Sequence, residues 1–391
     1  MNIIYFGNVV WSSLWKRSQT ISYHLQTSES IEKIFYLNTP VYITGLISRN
    51  IVEFKGISNK YAWKSVFPVN VSSKLATLTP LLFNRRNSFL RLNNLISECY
   101  GRYLVRKQKG KDLWLWIADF SPSRYVMYKK LIPIAKRIII DMPDDILGFA
   151  TNDPNYVSVS DFFRYCVARA DIVLCANEHI YDKYNDNSGK FYVLNNGVDF
   201  SVIDKYRKTD NDLFSALKIK HPVVGYMGVI GLHRIDLNLV ERLLKTYKEF
   251  SFVFLGMDDH HFLPPLQKKY PNCYYIPAVP YEKMIDSVAH FDAAIIPHQS
   301  NEHTKGNNLL KAYIYLALKV PIVSTSVSEL DKIGDVIDIA DNTKDFCDLV
   351  GAAIKQPNLL KLDKGYELAR MNSWSSRMES LYSILGMKKA S

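Results

Sequence analysis

The chain has 391 residues, 48% hydrophobic and 22% charged, with a formal net charge of +11. That composition is globular, it accommodates two domains at ~100–200 residues each, and it excludes a disordered or fibrous chain. The excess charge lies entirely at one end: residues 1–150 carry 21 Lys and Arg against 9 Asp and Glu, and the remainder carries 28 against 29. An anionic partner is therefore expected for the first domain.

Five cysteines, Cys99, Cys166, Cys175, Cys273 and Cys347, are scattered without a C-x-x-C pair. Reduced thiols in a cytoplasmic protein are expected rather than a disulfide frame. The opening MNIIYFGNVVW lacks a basic segment and a long apolar core, so it is read as a first strand and not as a signal peptide. No run of ~18 apolar residues occurs, which predicts no membrane span.

Short β-rich runs then alternate with longer amphipathic ones, the pattern of parallel sheets covered by helices. In the first half, strands are predicted at NIIYFG, KIFYLN, LWLWIA, RIIIDM, DIVLCA and FYVLNN. Helices are predicted near 15–27, 87–107, 122–134, 159–169 and 178–185. Residues 201–222 are polar and predict a hinge. The alternation restarts at Val223 with VVGYMG, a helix at Leu237–Phe250, then SFVFLG, CYYIPA, a helix near 281–290, AAIIPH, a helix from about Asn308, and PIVSTS. This gives two doubly wound, Rossmann-like α/β domains, 1–200 and 223–369, with a last helix at about 370–388 that packs back on the first. Such domains bind ligands at the carboxyl ends of their strands, so their loops are expected to face a central cleft.

Two stretches after strands of the second domain suit phosphate. Thr304, Lys305 and Asn308 precede or open a helix, whose N-terminus presents unpaired N–H groups and partial positive charge. Lys311 lies in the first turn, where a cation opposes the helix dipole unless an anion sits before it. In GVIGLHR, Gly228 and Gly231 permit close backbone approach and Arg234 can clamp a diphosphate. A solvated loop with surface lysines competes for the first stretch, and a simple turn for the second.

The stretches VVGYMGVIGLHRIDLNLVERL and TKGNNLLKAYIYLALKVPIVST, with ADIVLCANEHIYDKY and FYVLNNGVDF before them, resemble GT-B glycosyltransferases. The resemblance is greatest to family 4 and teichuronic-acid-type enzymes of bacterial surface polysaccharides. It implies a metal-independent hexosyl transfer from a nucleotide-diphosphate sugar, UDP-linked, with no cofactor. Lys311 then falls on the family's phosphate-contacting lysine, and the loop carrying Pro277 and Tyr281 falls where the base lies. The family's E-x7-E acids are replaced by Gly306 and Ile314. The ribose-binding acid is thus missing, leaving Glu302 or Asn307 for the ribose, or an altered or inactive pocket.

For the chemistry, RIIIDMPDD places Asp141, Asp144 and Asp145 at the end of a first-domain strand. Crowded carboxylates raise one pKa and supply a base for the acceptor hydroxyl; helix capping by Asp144 or Asp145 is the alternative. Trp11, Trp15, Arg17 and Gln19, after the first strand, are candidates for the acceptor, with core packing the alternative for either tryptophan. MDDHH is read as a loop, and nine histidines form no metal pattern.

Between Asn84 and Lys111, Phe89, Leu92, Ile96, Cys99 and Tyr103 recur at helical spacing among Arg85, Arg86, Arg91, Arg102, Arg106 and Lys107. This suits a helix on an anionic membrane surface, where a lipid-linked or oligosaccharide acceptor would be met on the inner face of the membrane. A core-facing helix with a basic outer side is the alternative. A nucleic-acid binder is disfavoured because aromatics are not interleaved with the basic run as stacking platforms. A GT-B-fold sugar epimerase and a non-catalytic binding subunit remain as rivals to the transferase.

Overall fold

The computed structural model describes residues 1–11, 16–43, 69–83, 87–150, 156–206, 214, 217–231, 234–258, 260–301, 304 and 310–388. Trp15, Lys305, Gly306, Asn307, Asn308, Glu302, Arg85 and Arg86 lie outside these residues. The chain divides into two units, one of Met1–Asn195 and Met378–Ser391, the other of Asn196–Arg377.

The first unit contains β1 (Asn2–Phe6), β2 (Lys33–Leu37), β3 (Val41–Tyr42), β4 (Val69–Asn70), β5 (Leu75–Leu78), β6 (Leu81–Leu82), β7 (Leu113–Ile117), β8 (Arg137–Met142), β9 (Ile172–Cys175) and β10 (Phe191–Val193). Its helices are α1 (Arg17–Leu25), α2 (Leu90–Lys107), α3 (Pro122–Leu131), α4 (Ile146–Ala150), α5 (Tyr156–Val167) and α6 (Glu178–Tyr184). The main sheet runs β10-β9-β8-β7-β1-β2-β5-β4, parallel except for β4 against β5. Central strands such as NIIYF are buried along their whole length, which is why they read as continuous apolar runs rather than alternating ones. Ile4, Phe6, Leu115, Ile117 and Ile140 form the core under Phe162 and Phe163 of α5.

The second unit contains β11 (Val223–Met227), β12 (Ser251–Gly256), β13 (Cys273–Pro277), β14 (Ala293–Ile296), β15 (Ile322–Thr325) and β16 (Asp338–Ala340). Its helices are α7 (Phe200–Tyr206), α8 (Leu237–Thr246), α9 (Leu263–Lys269), α10 (Tyr281–Ala289), α11 (Leu310–Ala317), α12 (Ser328–Asp331), α13 (Thr343–Lys355) and α14 (Leu359–Met371); α15 (Trp374–Leu385) continues into the first unit. The sheet is wholly parallel in the order β13-β12-β11-β14-β15-β16. Strand order reverses between β11 and β14, the point at which open α/β sheets bind ligands. One face packs Val253, Ile296, Ile314 and Leu316, and the other packs Phe252, Leu243, Phe346 and Val350.

Several elements differ from the sequence expectation. Strand β5 has a threonine, Thr77, inside LATL, which breaks the apolar run, yet it pairs with β2 from Ile34 to Leu37. The C-terminal α13 and α14 and the three-residue β16 carried too little pattern to be predicted. Within residues 201–222, Phe214 is fully buried and stacks on Phe291 at 5.9 Å, so this position packs as part of the second unit's core. From Met378 on, α15 belongs to the first unit, where the Tyr382 hydroxyl donates to the His24 carbonyl at 3.1 Å.

Candidate functional site

In the second unit, β11 delivers Tyr226 and then Gly228 to the point where strand order reverses. Gly228 has φ 140°, and a Cβ there would meet the Lys311 Nζ at 3.1 Å. Both the backbone conformation and the close approach of the lysine call for glycine. Gly231 has open space where its Cβ would lie, and its carbonyl accepts from Arg234 N at 3.0 Å and Ile235 N at 3.1 Å. It closes the turn that returns the chain to β14, where Gln299 N donates to Arg234 O at 2.9 Å. Arg234 is thereby fixed close to His298.

Lys311, the second residue of α11, reaches into this corner. Its Nζ donates to the Tyr226 hydroxyl at 3.0 Å and to His298 Nε2 at 3.2 Å, and lies 4.4 Å from the centre of the Tyr226 ring. The phenol hydroxyl in turn donates a hydrogen bond to the Val229 carbonyl at 3.1 Å. Among the described residues neither Lys311 nor Arg234 has a carboxylate partner. Burial, with the Arg234 charge added to it, holds the Lys311 amine well below the ordinary lysine value. Burial also lowers His298 well below the ordinary histidine value, and the charges of Lys311 and Arg234 add to that. The ring is therefore neutral. With Nε2 accepting from the ammonium, the proton sits on Nδ1, which is buried and has no partner.

Lys311 and Arg234 converge here beside a neutral imidazole, and among the described residues no carboxylate pairs with either, an arrangement that suits an anion. His298 also lines a cavity of about 480 Å³ at the ends of β14, β15 and β16, together with Asp236, Thr325, Asp341 and Asn342. Among the described residues its lining carries acids and no lysine or arginine, so it suits hydroxyl groups rather than phosphate.

The remaining second-unit candidates sit differently. Thr304 is buried; its hydroxyl donates to the Gln299 carbonyl at 2.5 Å and accepts from Asn301 N at 3.0 Å. Its polar capacity is used in shaping the loop, so it is corrected from ligand contact to loop structure. Pro277 is exposed at the end of the edge strand β13, two strands from β11. Tyr281 is drawn towards the core, where burial and then the charge of Asp199 raise its pKa. Ile314 is 2% exposed and belongs to the core cluster; α11 uses that position for packing. His298 and Tyr226 were not foreseen, because a tyrosine inside an apolar strand reads as core and a single histidine after one carries no pattern.

In the first unit, Asp141 is fully buried; it pairs with Arg17 Nε at 2.8 Å and accepts from the Tyr5 hydroxyl at 3.1 Å. Arg17 also donates to the Leu194 carbonyl at 2.6 Å. Asp141 and Arg17 are corrected to an internal ion pair, and Gln19 is likewise fully buried. Trp11 packs edge-on against Tyr36 at 5.0 Å, and its backbone N–H donates to Asn38 Oδ1 at 2.7 Å. Asp145 accepts from Gly148 N at 3.0 Å, as a cap of α4, and pairs with Lys183 at 2.6 Å. Burial raises its pKa, but the hydrogen bonds from Lys183, Tyr184 and Gly148 outweigh it, and the carboxyl lies below the usual range. That makes it a weaker base. Asp144 is the exposed acid of the group.

The first aspartate of MDDHH, Asp258, accepts from Phe262 N at 3.0 Å and Leu263 N at 2.9 Å, capping α9. Among the described residues no group of three metal-ligating side chains occurs.

No family model and no curated protein matches the chain. Solved structures do match along the whole chain. OtsA, in its apo form, matches with a TM-score of 0.66 at 10% identity over 99% of both chains. Sucrose-phosphate synthase from Thermosynechococcus elongatus gives 0.65 at 11% identity, over 98% of this chain and 99% of that one. HepE of Anabaena, in complex with UDP-glucose, gives 0.64 at 12% identity over 99% of both. Identities this low establish architecture alone: the chain has the GT-B fold.

Proposed function

We propose that the protein is a glycosyltransferase that takes a sugar from a nucleotide-diphosphate sugar, UDP-linked, and passes it to a lipid-linked or growing surface-polysaccharide acceptor. The observation that carries this reading is Lys311, buried beside Arg234 and His298 with no carboxylate partner among the described residues. The solved structures of HepE with UDP and glucose, and with UDP-glucose, support it as an analogy of fold.

In this reading the diphosphate occupies the corner made by Lys311 and Arg234. Transfer breaks the bond between the anomeric carbon and the leaving phosphate oxygen, and negative charge grows on that oxygen. Preorganised cations in a desolvated site stabilise that charge more strongly than the ground state. The incoming anion also favours the charged form of the lysine, since an opposite charge stabilises the ammonium. His298 Nε2 holds the ammonium in place, and the polar cavity beside it receives hydroxyls of the sugar. An inverting transfer additionally needs a base for the acceptor hydroxyl, and the proposal assigns this to Asp144, the exposed acid of its cluster, which an acceptor can reach.

A second reading, a GT-B-fold binding subunit without turnover, is favoured by Ile314 in place of the ribose acid. The two are separated by incubating the protein with UDP-glucose, UDP-galactose and UDP-N-acetylglucosamine plus membrane-extracted lipid acceptors. Release of UDP that requires acceptor supports the transferase. Saturable UDP binding without release from any pair supports the subunit.

A further inference from the structure

We infer that the outward face of α2 is a docking surface for an anionic lipid bilayer. The inference deepens the acceptor part of the proposed function, but it stands on geometry in the first unit and needs nothing from the nucleotide site.

Helix α2 is turned inside out relative to an ordinary surface helix. Its buried residues are Asn93, Ser97, Gly101 and Leu104, and at Gly101 a Cβ would meet the Met127 backbone at 3.3 Å. This narrow, mostly polar stripe is the face that packs on α3. The apolar side chains point the other way: Leu92, Leu95 and Tyr103 are 39%, 58% and 50% exposed, and Cys99 is exposed as well. At ~100° per residue they cluster within roughly 60° of the direction opposite the buried stripe. Arg91, Arg102 and Arg106 share that arc, and Lys107 flanks it. Only one acid, Glu98, lies on the helix, and it is already shared by Arg102 at 2.9 Å and Lys130 at 3.1 Å.

Leucines and a tyrosine held in water by a folded helix, ringed by arginines, match the boundary of a bilayer. The apolar side chains enter the acyl region while the guanidinium groups extend to phosphate. The charge of the whole unit agrees, since the first 150 residues carry twelve more basic than acidic groups. A second copy of the chain would not meet this face well, because like arginines would oppose one another. Among the described residues no helix is long and apolar enough to cross a membrane, so contact at this face is lateral.

The test is flotation of the full-length protein with vesicles of pure phosphatidylcholine and with vesicles containing phosphatidylglycerol at about 30%, repeated at low and high salt. Each arginine near an anionic surface changes partitioning roughly fivefold. Arg91→Glu with Arg106→Glu should therefore reduce flotation by at least about 30-fold, and Leu92→Ser with Leu95→Ser should also abolish it. Both double variants should keep the wild-type melting temperature and UDP response, which separates loss of docking from misfolding and from failure of the nucleotide reading. The expected result is flotation only with phosphatidylglycerol, weakened by salt. Absence of wild-type flotation, flotation unchanged in the arginine variant, or a dimer in solution that Leu95→Ser dissociates without any lipid binding would each overturn the inference.

Discussion

Replacing Lys311 by methionine keeps the length of the side chain and removes its charge. If the lysine serves an anion, UDP affinity should fall by the value of a hydrogen bond to a charged group, ~1.5–3 kcal/mol, or roughly 10–150-fold in Kd. The unliganded protein should not weaken. Among the described residues the buried ammonium has no acid partner to offset its desolvation, so the variant should melt at the wild-type temperature or above it. The pH dependence gives a second reading. The folded pKa lies below the unfolded value of ~10.4, so between the two the unfolded state binds more protons and stability rises with pH. Lys311→Met should remove that rise. Calorimetric titration of UDP at pH 9 in two buffers of different ionisation enthalpy should show proton uptake on binding to wild type and none to the variant. Unchanged UDP affinity, or a marked loss of stability without ligand, would refute the reasoning and make Lys311 a structural residue.

The other predictions concern positions that the structure separates by role. Asp141→Ala leaves the buried Arg17 guanidinium without its counter-ion and should cost ~3–5 kcal/mol in urea unfolding of the first unit, with UDP binding retained; a loss below ~1 kcal/mol would contradict an internal pair. Ile314→Glu places an acid in the core and should destabilise by several kcal/mol without improving nucleotide affinity; a tighter UDP complex would mean that the position faces the ligand after all. Asp144→Asn should abolish transfer with UDP binding intact, as judged by UDP release and titration, and undiminished turnover would remove it from the chemistry. His298 is neutral when folded and takes a proton when unfolded below ~6.5, so stability should fall as pH drops through that value, by up to ~1.4 kcal/mol per unit. His298→Asn should flatten that slope in thermal melts, and an unaltered slope would place the titration elsewhere.

Much of the architecture was legible because parallel strands buried on both faces are nearly continuous apolar runs. VVGYM, SFVFL and RIIID announce themselves without any alternation. Strand β5 did not, since Thr77 and the following Pro80 give it the look of a loop, and only pairing with β2 makes it a strand. The site was half legible. Lys311 stands in the first turn of a helix, where a cation opposes the dipole, and Arg234 follows a strand and a pair of glycines, so both could be named as candidates from spacing, with a solvated loop and a simple turn as the alternatives. Tyr226 and His298 belong to the site only because β11 and β14 lie side by side in the sheet, and adjacency of strands distant in sequence leaves no local trace.

The three acids after β8 illustrate the same limit. Asp141, Asp144 and Asp145 look equivalent along the chain. Yet Asp141 is buried against Arg17, Asp145 caps a helix and binds Lys183, and Asp144 is exposed. Burial of a single strand residue, not composition, divides them. In α2 the helical spacing of apolar residues was legible but their direction was not, because a small-residue stripe packed on α3 reverses the usual orientation.

The central claim is that the corner of Lys311, Arg234 and His298 takes a nucleotide diphosphate. The most direct measurement is a thermal-shift panel of UDP, GDP, CMP and dTDP on the wild-type chain. A ligand at 100 times its Kd stabilises by ~2.7 kcal/mol, roughly 5–10 °C for a unit of this size. The account predicts such a shift with UDP, and its loss in Lys311→Met. No shift with any nucleotide would contradict it.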